Sequence, residues 1–495
     1  MNASGQGHDA GRVHMHPIEF AESDGDFAHF DYRPWLRAHE ALVVRLRGLA
    51  GALLTLNFAI FWLVPIAVQG QAFKLALHRV CSPIYAGVDR APALRRFAAR
   101  FVYRKPVHVD YFATALFFLL SLTISLGVVF YWQIANGSLP WWLIALYFFA
   151  WVGFGGRGMG AAYTFAHREG HRPGGRLYQP WIRNTVGNFF ENWAGFFFGN
   201  VPYNFSTSHN LLHHRLNAGK GDPFYMWDID RTSFADLMLY QHRIFVYMTG
   251  WSSLRAFRQQ LDSRQMAEGY RTLLKGFVLY WGVFPGLVFA GLVLAGSTPA
   301  SAHAFLFFVY FQPLCAMSFF LAFINVGFHG YVEFDENGKH IECVASSTIL
   351  DGQDDSFGED DHMAHHYYTA VEHLDLSAHQ AAQHAEWARR QASVFKEMAI
   401  VELALFTVLG QFEMLAEKHY VDYAGKLGTE EIARLLEERA KRKEMSYEEY
   451  EFRYLPALRA SADELVRRGT CRSVSNAYAY QAHHNVQFDL SVPTD

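Results

Sequence analysis

Five runs of apolar residues, separated by polar and charged stretches, set the organisation of the chain. The first, 49–69 (LAGALLTLNFAIFWLVPIAVQ), is long enough to cross a bilayer, which takes about 20 residues. Pro65 is expected to kink it, since proline offers no N–H to the helical ladder. Lys and Arg lie on both sides, so its orientation stays open, and a half-inserted or in-plane helix is the rival reading. Runs 111–132 and 140–160, and then 275–296 and 302–325, predict two transmembrane helical hairpins. Their connectors, QIANGSLP and GSTPAS, carry no Lys or Arg, whereas the outer flanks of the first hairpin are rich in Arg. The positive-inside rule puts those flanks in the cytoplasm and the connectors outside.

The polar segments complete the pattern. Residues 1–45 read as a polar tail, and 71–109 are basic, with Arg90, Arg95, Arg96, Arg100, Arg104 and Lys105. Such a segment marks cytoplasmic topology and can also attract anionic lipid. Residues 161–274 are mostly polar and basic, with an aromatic-rich section from Phe189 to Phe205, and are expected to form a cap at the membrane surface. Residues 398–411 are apolar but short and interrupted by Glu402, so packing on the cap or at the interface is expected rather than crossing. Ser377 to Gln380 resembles a capping box ahead of a long helical pattern, and Ser446 to Glu449 is a second, within the charged helical stretch 429–469. The fold class is therefore all-α and integral to the membrane. It has two hairpins plus an extra N-terminal membrane helix, with a cytoplasmic helical cap. Three parts follow: a tail 1–45, a membrane domain 46–375 and a C-terminal helical cytoplasmic extension 376–495.

Composition narrows the class further. Of 495 residues 51% are hydrophobic and only 18% charged, and a net charge of −4 gives no case for nucleic acid. The four cysteines, Cys81, Cys315, Cys343 and Cys471, form no CxxC pair, which argues against zinc ribbons, rubredoxin-type sites and iron–sulfur clusters. The N-terminal MNASGQGHDAGRVHMH lacks a basic region followed by an apolar core and does not read as a cleaved signal peptide.

The candidate chemistry lies in the histidines. His167 and His171 are four apart, as are His209 and His213, with His214 one step around. On an α-helix four residues turn about 400°, so each pair shares a face. His362, His365 and His366 fall within roughly 100° of one surface. Each cluster thus aims two or three imidazoles at one point, and imidazole is a common ligand for iron, zinc and copper. These are more nitrogens than one tetrahedral zinc can use, so two metal ions are the economical reading. His329 closes the last run with Asn325 four residues before it, a polar pair that is expensive at that depth without partners. Two spans return the chain to its starting side, so all the clusters meet on one face. Glu169, Asp360 and Asp361 are candidates to accept the free ring N–H of a ligating imidazole and fix its tautomer. Asp222 and Glu191 rank behind them. His373 is at most a partner of this kind, while His242, His340, His379, His384, His483 and His484 read as surface or core. The HRPGG string at 171–175 differs from a haem-binding HPGG by the inserted Arg172.

The ordered set resembles the integral-membrane fatty acid desaturase and hydroxylase superfamily, with its three histidine boxes around two hairpins. HREGH at 167–171, HNLLHH at 209–214 and HMAHH at 362–366 are similar to the three boxes, and NVGFH at 325–329 to the NxxxH element of acyl desaturases. The resemblance covers roughly residues 110–375 and includes the Gly-Asp-Pro at 221–223. It implies two irons held by His167, His171, His209, His213, His214, His329, His362, His365 and His366, with Asn325 acting through water. No catalytic residue beyond the metal ligands is implied. The implied activity uses O₂ as co-substrate to introduce a double bond into a fatty acyl or lipid-like chain; the alternative is hydroxylation on the same scaffold. A non-catalytic membrane metal-binding protein would want ionisable residues within the spans, and these hold almost none except Lys275 at an edge. No flavin or nicotinamide fingerprint stands out, so a separate donor of ferredoxin, rubredoxin or cytochrome b5 type is expected, along with a membrane lipid or acyl-chain substrate. The expected location is a multi-pass membrane protein with its site on the cytoplasmic face.

Overall fold

The computed structural model describes residues 34–72, 80–219, 221–258, 264–335, 340–352, 358–368, 371, 375–443 and 463–469. His373, His483, His484 and the capping box at Ser446 lie outside them. Val44–Asp495 forms one compact unit, and Met1–Val43 is a separate one. Among the described residues four helices are long and apolar enough to cross a membrane, one of them N-terminal, and the rest is mostly helical.

Helix α1 covers Pro34–Phe61, of which Ala41–Phe61 is the apolar part, and α2 covers Leu63–Ala72. The span therefore lies earlier than the expected 49–69. The break falls at Trp62 because Pro65 has no N–H to give to the carbonyl of Phe61, four residues back. A short helix, α3, Pro92–Phe101, precedes the first long span, α4, Phe112–Asn136. The expected single run 140–160 is instead two helices, α5 (Trp141–Val152) and α6 (Arg157–Gly170). Gly153 and Gly156, at φ 68° and 78°, break the ladder between them. With 12 residues, α5 reaches only about 18 Å of the roughly 30 Å hydrocarbon layer.

A π-helix, Phe205–His213, and α7, Phe234–Met248, follow. The second hairpin is α8, Arg264–Leu294, with α9, Pro299–His329, each 31 residues and so longer than the apolar runs alone. Two-thirds of the apolar window of α9 (67%) is buried, against 11% for α1 and for α8, so α9 is the central helix and the others expose leucines and valines outward. Across α9, Gln312 and Asn57 of α1 exchange a reciprocal amide pair at 3.0 and 2.8 Å, and Trp62 Nε1 adds a third bond at 3.1 Å. These polar groups satisfy one another, as the apolar surroundings require.

Beyond α9 come α10, His362–Tyr367, α11, Ile400–Val408, and α12, Thr429–Lys441. Two three-residue parallel strands, β1 (Thr348–Leu350) and β2 (Val394–Lys396), are the small non-helical element that residue patterns did not show. The long helix expected after Ser377 is instead two short ones, Leu376–Gln380 and His384–Arg390. Helix α11 packs along α9, where Ile400 lies against Gly327 so closely that a Cβ there would overlap it. The Arg231 guanidinium donates to the backbone carbonyl of Ile229 at 2.6 Å and to that of Arg442, just past α12, at 2.9 Å; Arg439 pairs with Glu333, its Nε at 2.8 Å. These bonds hold α12 against the rest of the unit.

Candidate metal centre

Three short elements and the end of α9 supply the site. His167 lies in the last turn of α6, and His171 caps it. Gly170 is required there: a Cβ would overlap Phe205, the first residue of the π-helix, so absence of a side chain lets the two elements touch. Asn210 Nδ2 then donates to the Gly170 carbonyl at 2.8 Å. His329 is the last residue of α9, and α10 begins at His362.

The imidazoles form two adjoining groups. His167, His171, His209, His214 and His365 bring one ring nitrogen each to within 4.8 Å of one another, and so do His213, His329 and His366. His362 joins the second group, with its Nε2 2.9 Å from that of His329. In the first group His167 Nε2 is 2.7 Å from His209 Nε2 and 3.1 Å from those of His171 and His365, while His214 Nε2 is 2.9 Å from His209 Nε2.

Two box readings change here. The second box is not α-helical: in a π-helix the backbone bond runs five residues back, so i and i+5 align. His209 therefore pairs with His214, and His213 turns to the other group. The third box is also divided. His362 and His366, one turn apart, join His329, and His365 faces His167. The three clusters do not each converge on one point; each of the last two supplies both groups.

The outer ring nitrogens fix the inner ones. His167 Nδ1–H donates to Glu359 Oε1 at 2.8 Å, and His213 Nδ1–H to Asp222 Oδ2 at 2.8 Å. His329 Nδ1–H donates to the Ala345 carbonyl at 2.9 Å. A carboxylate or carbonyl can only accept, so Nδ1 carries the proton and Nε2 carries a lone pair. Lone pairs from several rings then face one another at about 3 Å, an arrangement no proton can satisfy for all of them. That spacing suits adjacent corners of a shell with metal–nitrogen bonds of about 2.1 Å. Burial, and then neighbouring imidazoles, holds His171, His209, His214, His362, His365 and His366 below the ordinary histidine pKa, which keeps these rings neutral and able to ligate. The residues fit metal ions, with nitrogen donors alone and five around one centre.

The carboxylates differ from expectation. Glu169 faces away from the imidazoles: its oxygens accept from the Phe189 N–H at 3.0 Å, the Glu191 N–H at 2.8 Å and the Tyr178 hydroxyl. Burial pushes its pKa up to about 8 despite these donors. It ties 188–191 to α6, being directed to the opposite side of the helix from His167. Asp361 accepts from Gln380 Nε2, and the Asp360 carboxylate lies against Gly352. The acid that meets His167 is their neighbour Glu359, the first residue of the 3₁₀ turn Glu359–Asp361. No spacing rule separates Glu359 from the two aspartates that follow. Asp222, ranked low from sequence, is fully buried and also accepts from the N–H groups of Ala218 and Phe224 at 2.8 and 2.9 Å. Glu191 accepts from Asn188 and the Ser206 N–H. Asn325 is buried one turn before His329, and its Nδ2 donates to the Tyr240 hydroxyl at 3.1 Å, a partner that sequence did not indicate.

Four helices of membrane length, a helical cap and two groups of imidazoles able to hold metal ions make up this arrangement among the described residues. The fatty acid desaturase family model matches residues 140–397, more than half of the chain, and the chain belongs to that family of di-iron oxidoreductases, which includes desaturases and hydroxylases. No curated protein and no solved structure matches it.

Proposed function

We propose that the chain is an O₂-dependent di-iron desaturase that introduces a double bond into a fatty acyl or lipid-like chain. The observation that carries this reading is the pair of adjoining imidazole groups whose outer nitrogens are held by Glu359, Asp222 and the Ala345 carbonyl. His167, His171, His209, His214 and His365 would hold one iron, and His213, His329, His362 and His366 the other, with Asn325 placing a water. When bound, the irons supply the electron-transfer and O₂ chemistry needed to remove hydrogen from an unactivated C–H bond. The protein supplies fixed tautomers, neutral ligands and exclusion of water. His213, His329 and His362 are buried, whereas His171, His214 and His365 of one group and His366 of the other keep partial exposure. Electrons arrive from a separate donor of ferredoxin, rubredoxin or cytochrome b5 type, which docks on the cap. By the positive-inside rule that cap is cytoplasmic.

Expression in a host membrane, with acyl-chain mass profiling of wild type against His365→Ala, tests the reading. Two irons per wild-type chain and a product two mass units lighter than substrate are expected, both lost or reduced in the variant. An oxygen-bearing product would make the enzyme a hydroxylase, and a metal-free wild type would overturn both.

A further inference from the structure

Helix α3 carries two stripes that the metal centre does not use. Its inner side, with Leu94 and Ala98, packs among Tyr103, Phe112, Leu177 and Tyr178. Residues four apart stand nearly in line, so Arg96 and Arg100 form one outward stripe and Phe97 and Phe101 a second beside it. Both arginines are exposed, and the two rings are 50% and 44% exposed. Phe97 lies 6.2 Å, ring to ring, from Phe112, the first residue of the membrane-length α4. The stripes therefore sit at the level where that span begins. Trp181, 60% exposed, extends the aromatic edge by donating its indole N–H to the Phe101 carbonyl at 2.6 Å. The nearby acids do not neutralise the basic stripe: Asp89 accepts from the Ala113 and Thr114 N–H groups, and Asp110 pairs with Arg95 at 2.6 Å.

We propose that α3 lies in the plane of the bilayer interface and binds the headgroups of anionic phospholipids. Phe97, Phe101 and Trp181 enter the upper acyl region, and Arg96 and Arg100 meet the phosphates. A basic stripe beside an aromatic one, continuous with the start of a span, matches the polarity step of that interface. An acidic protein docking on the same face would use the arginines but leave three large rings in water, which is why lipid is the favoured occupant.

The full chain in nanodiscs of equal parts phosphatidylcholine and phosphatidylglycerol, released and counted for retained lipid by native mass spectrometry, gives the test. Wild type is expected to retain phosphatidylglycerol preferentially. Each arginine near an anionic surface adds about a fivefold preference, so Arg96→Gln/Arg100→Gln should lose at least that much. The single variants Arg96→Gln and Arg100→Gln should each show a smaller loss and serve if the double variant folds poorly. Phe97→Ser/Phe101→Ser should retain fewer lipids of both kinds. Equal retention of the two lipids by wild type, or an unchanged preference in the arginine variants, would overturn the proposal. So would loss of binding to an acidic ferredoxin in those variants with lipid counts unchanged, which would assign the face to a protein. Lipid counting needs neither iron nor turnover, so its failure is distinct from failure of the proposed activity.

Discussion

At the scale of single residues, Glu359 and Asp361 are neighbouring acids with different work. Glu359 holds the outer nitrogen of His167, and Asp361 accepts from Gln380. Removing an outer partner of a ligating histidine lowers metal affinity or activity by about 10–100-fold. Glu359→Ala is expected to fall in that range when metal content is titrated against a chelator, and Asp361→Ala to stay near wild type. Equal losses from both would contradict the assignment. His242 offers a pH test away from the centre. Burial, and then Arg47 and Arg243, lowers its pKa to about 4, whereas an unfolded histidine protonates near 6.5. Between these values the unfolded chain binds a proton that the folded chain does not, so this stability contribution is full above about 6.5 and is lost as pH falls toward about 4. Thermal unfolding in detergent at pH 7 and pH 5 should show a smaller acid-induced drop for His242→Gln than for wild type. The opposite order would mean that His242 is stabilised as the cation.

Between elements, the π-helix decides which histidines work together. His209 with His214 and His213 with His366 is the pairing that its wider turn imposes. A His209→Ala/His214→Ala double variant should therefore keep about one metal of two, because it strips a single group. His209→Ala/His213→Ala touches both groups and should lose more, down to none. Metal analysis of the two purified proteins separates this arrangement from the α-helical one, in which their order reverses. The packing of α1 against α7 gives a second test. Gly51 meets the Met238 carbonyl so closely that any Cβ would overlap it. Overpacking of this kind costs about 1–3 kcal/mol, so Gly51→Val should lower the unfolding temperature measurably, while Gly48→Val, with nothing within 4 Å, should not.

For the molecule as a whole, the testable property is orientation. With the cap in the cytoplasm, a single cysteine at Ser138, in the connector after α4, should react with a membrane-impermeant maleimide in intact cells. One at Ser377 should react only after permeabilisation, both in a chain lacking its four native cysteines. Reaction at both sites, or the reverse pattern, would place the metal centre on the other face. The same topology explains why α9 is the buried helix. It ends in His329, and it is tied to α1 by Gln312, to α7 by Asn325 and Tyr240, and to α11 through Gly327.

Long apolar runs were legible without coordinates because burial in lipid demands a continuous stretch of about 20 residues, a requirement local enough to read from the chain. Histidines at helical spacing were legible as metal-binding candidates for the same reason: ligands on one short element recur at the period of that element. How far each helix ran was less visible, since Gly153, Gly156 and Pro65 act on hydrogen bonds whose loss depends on the neighbouring packing. Tertiary structure alone decided that the second box winds as a π-helix, that the third divides between two centres, and that Glu359 rather than Glu169 meets an imidazole. Those choices rest on contacts between residues as far apart as His167 and Glu359, 192 positions along the chain, where no local period carries the information.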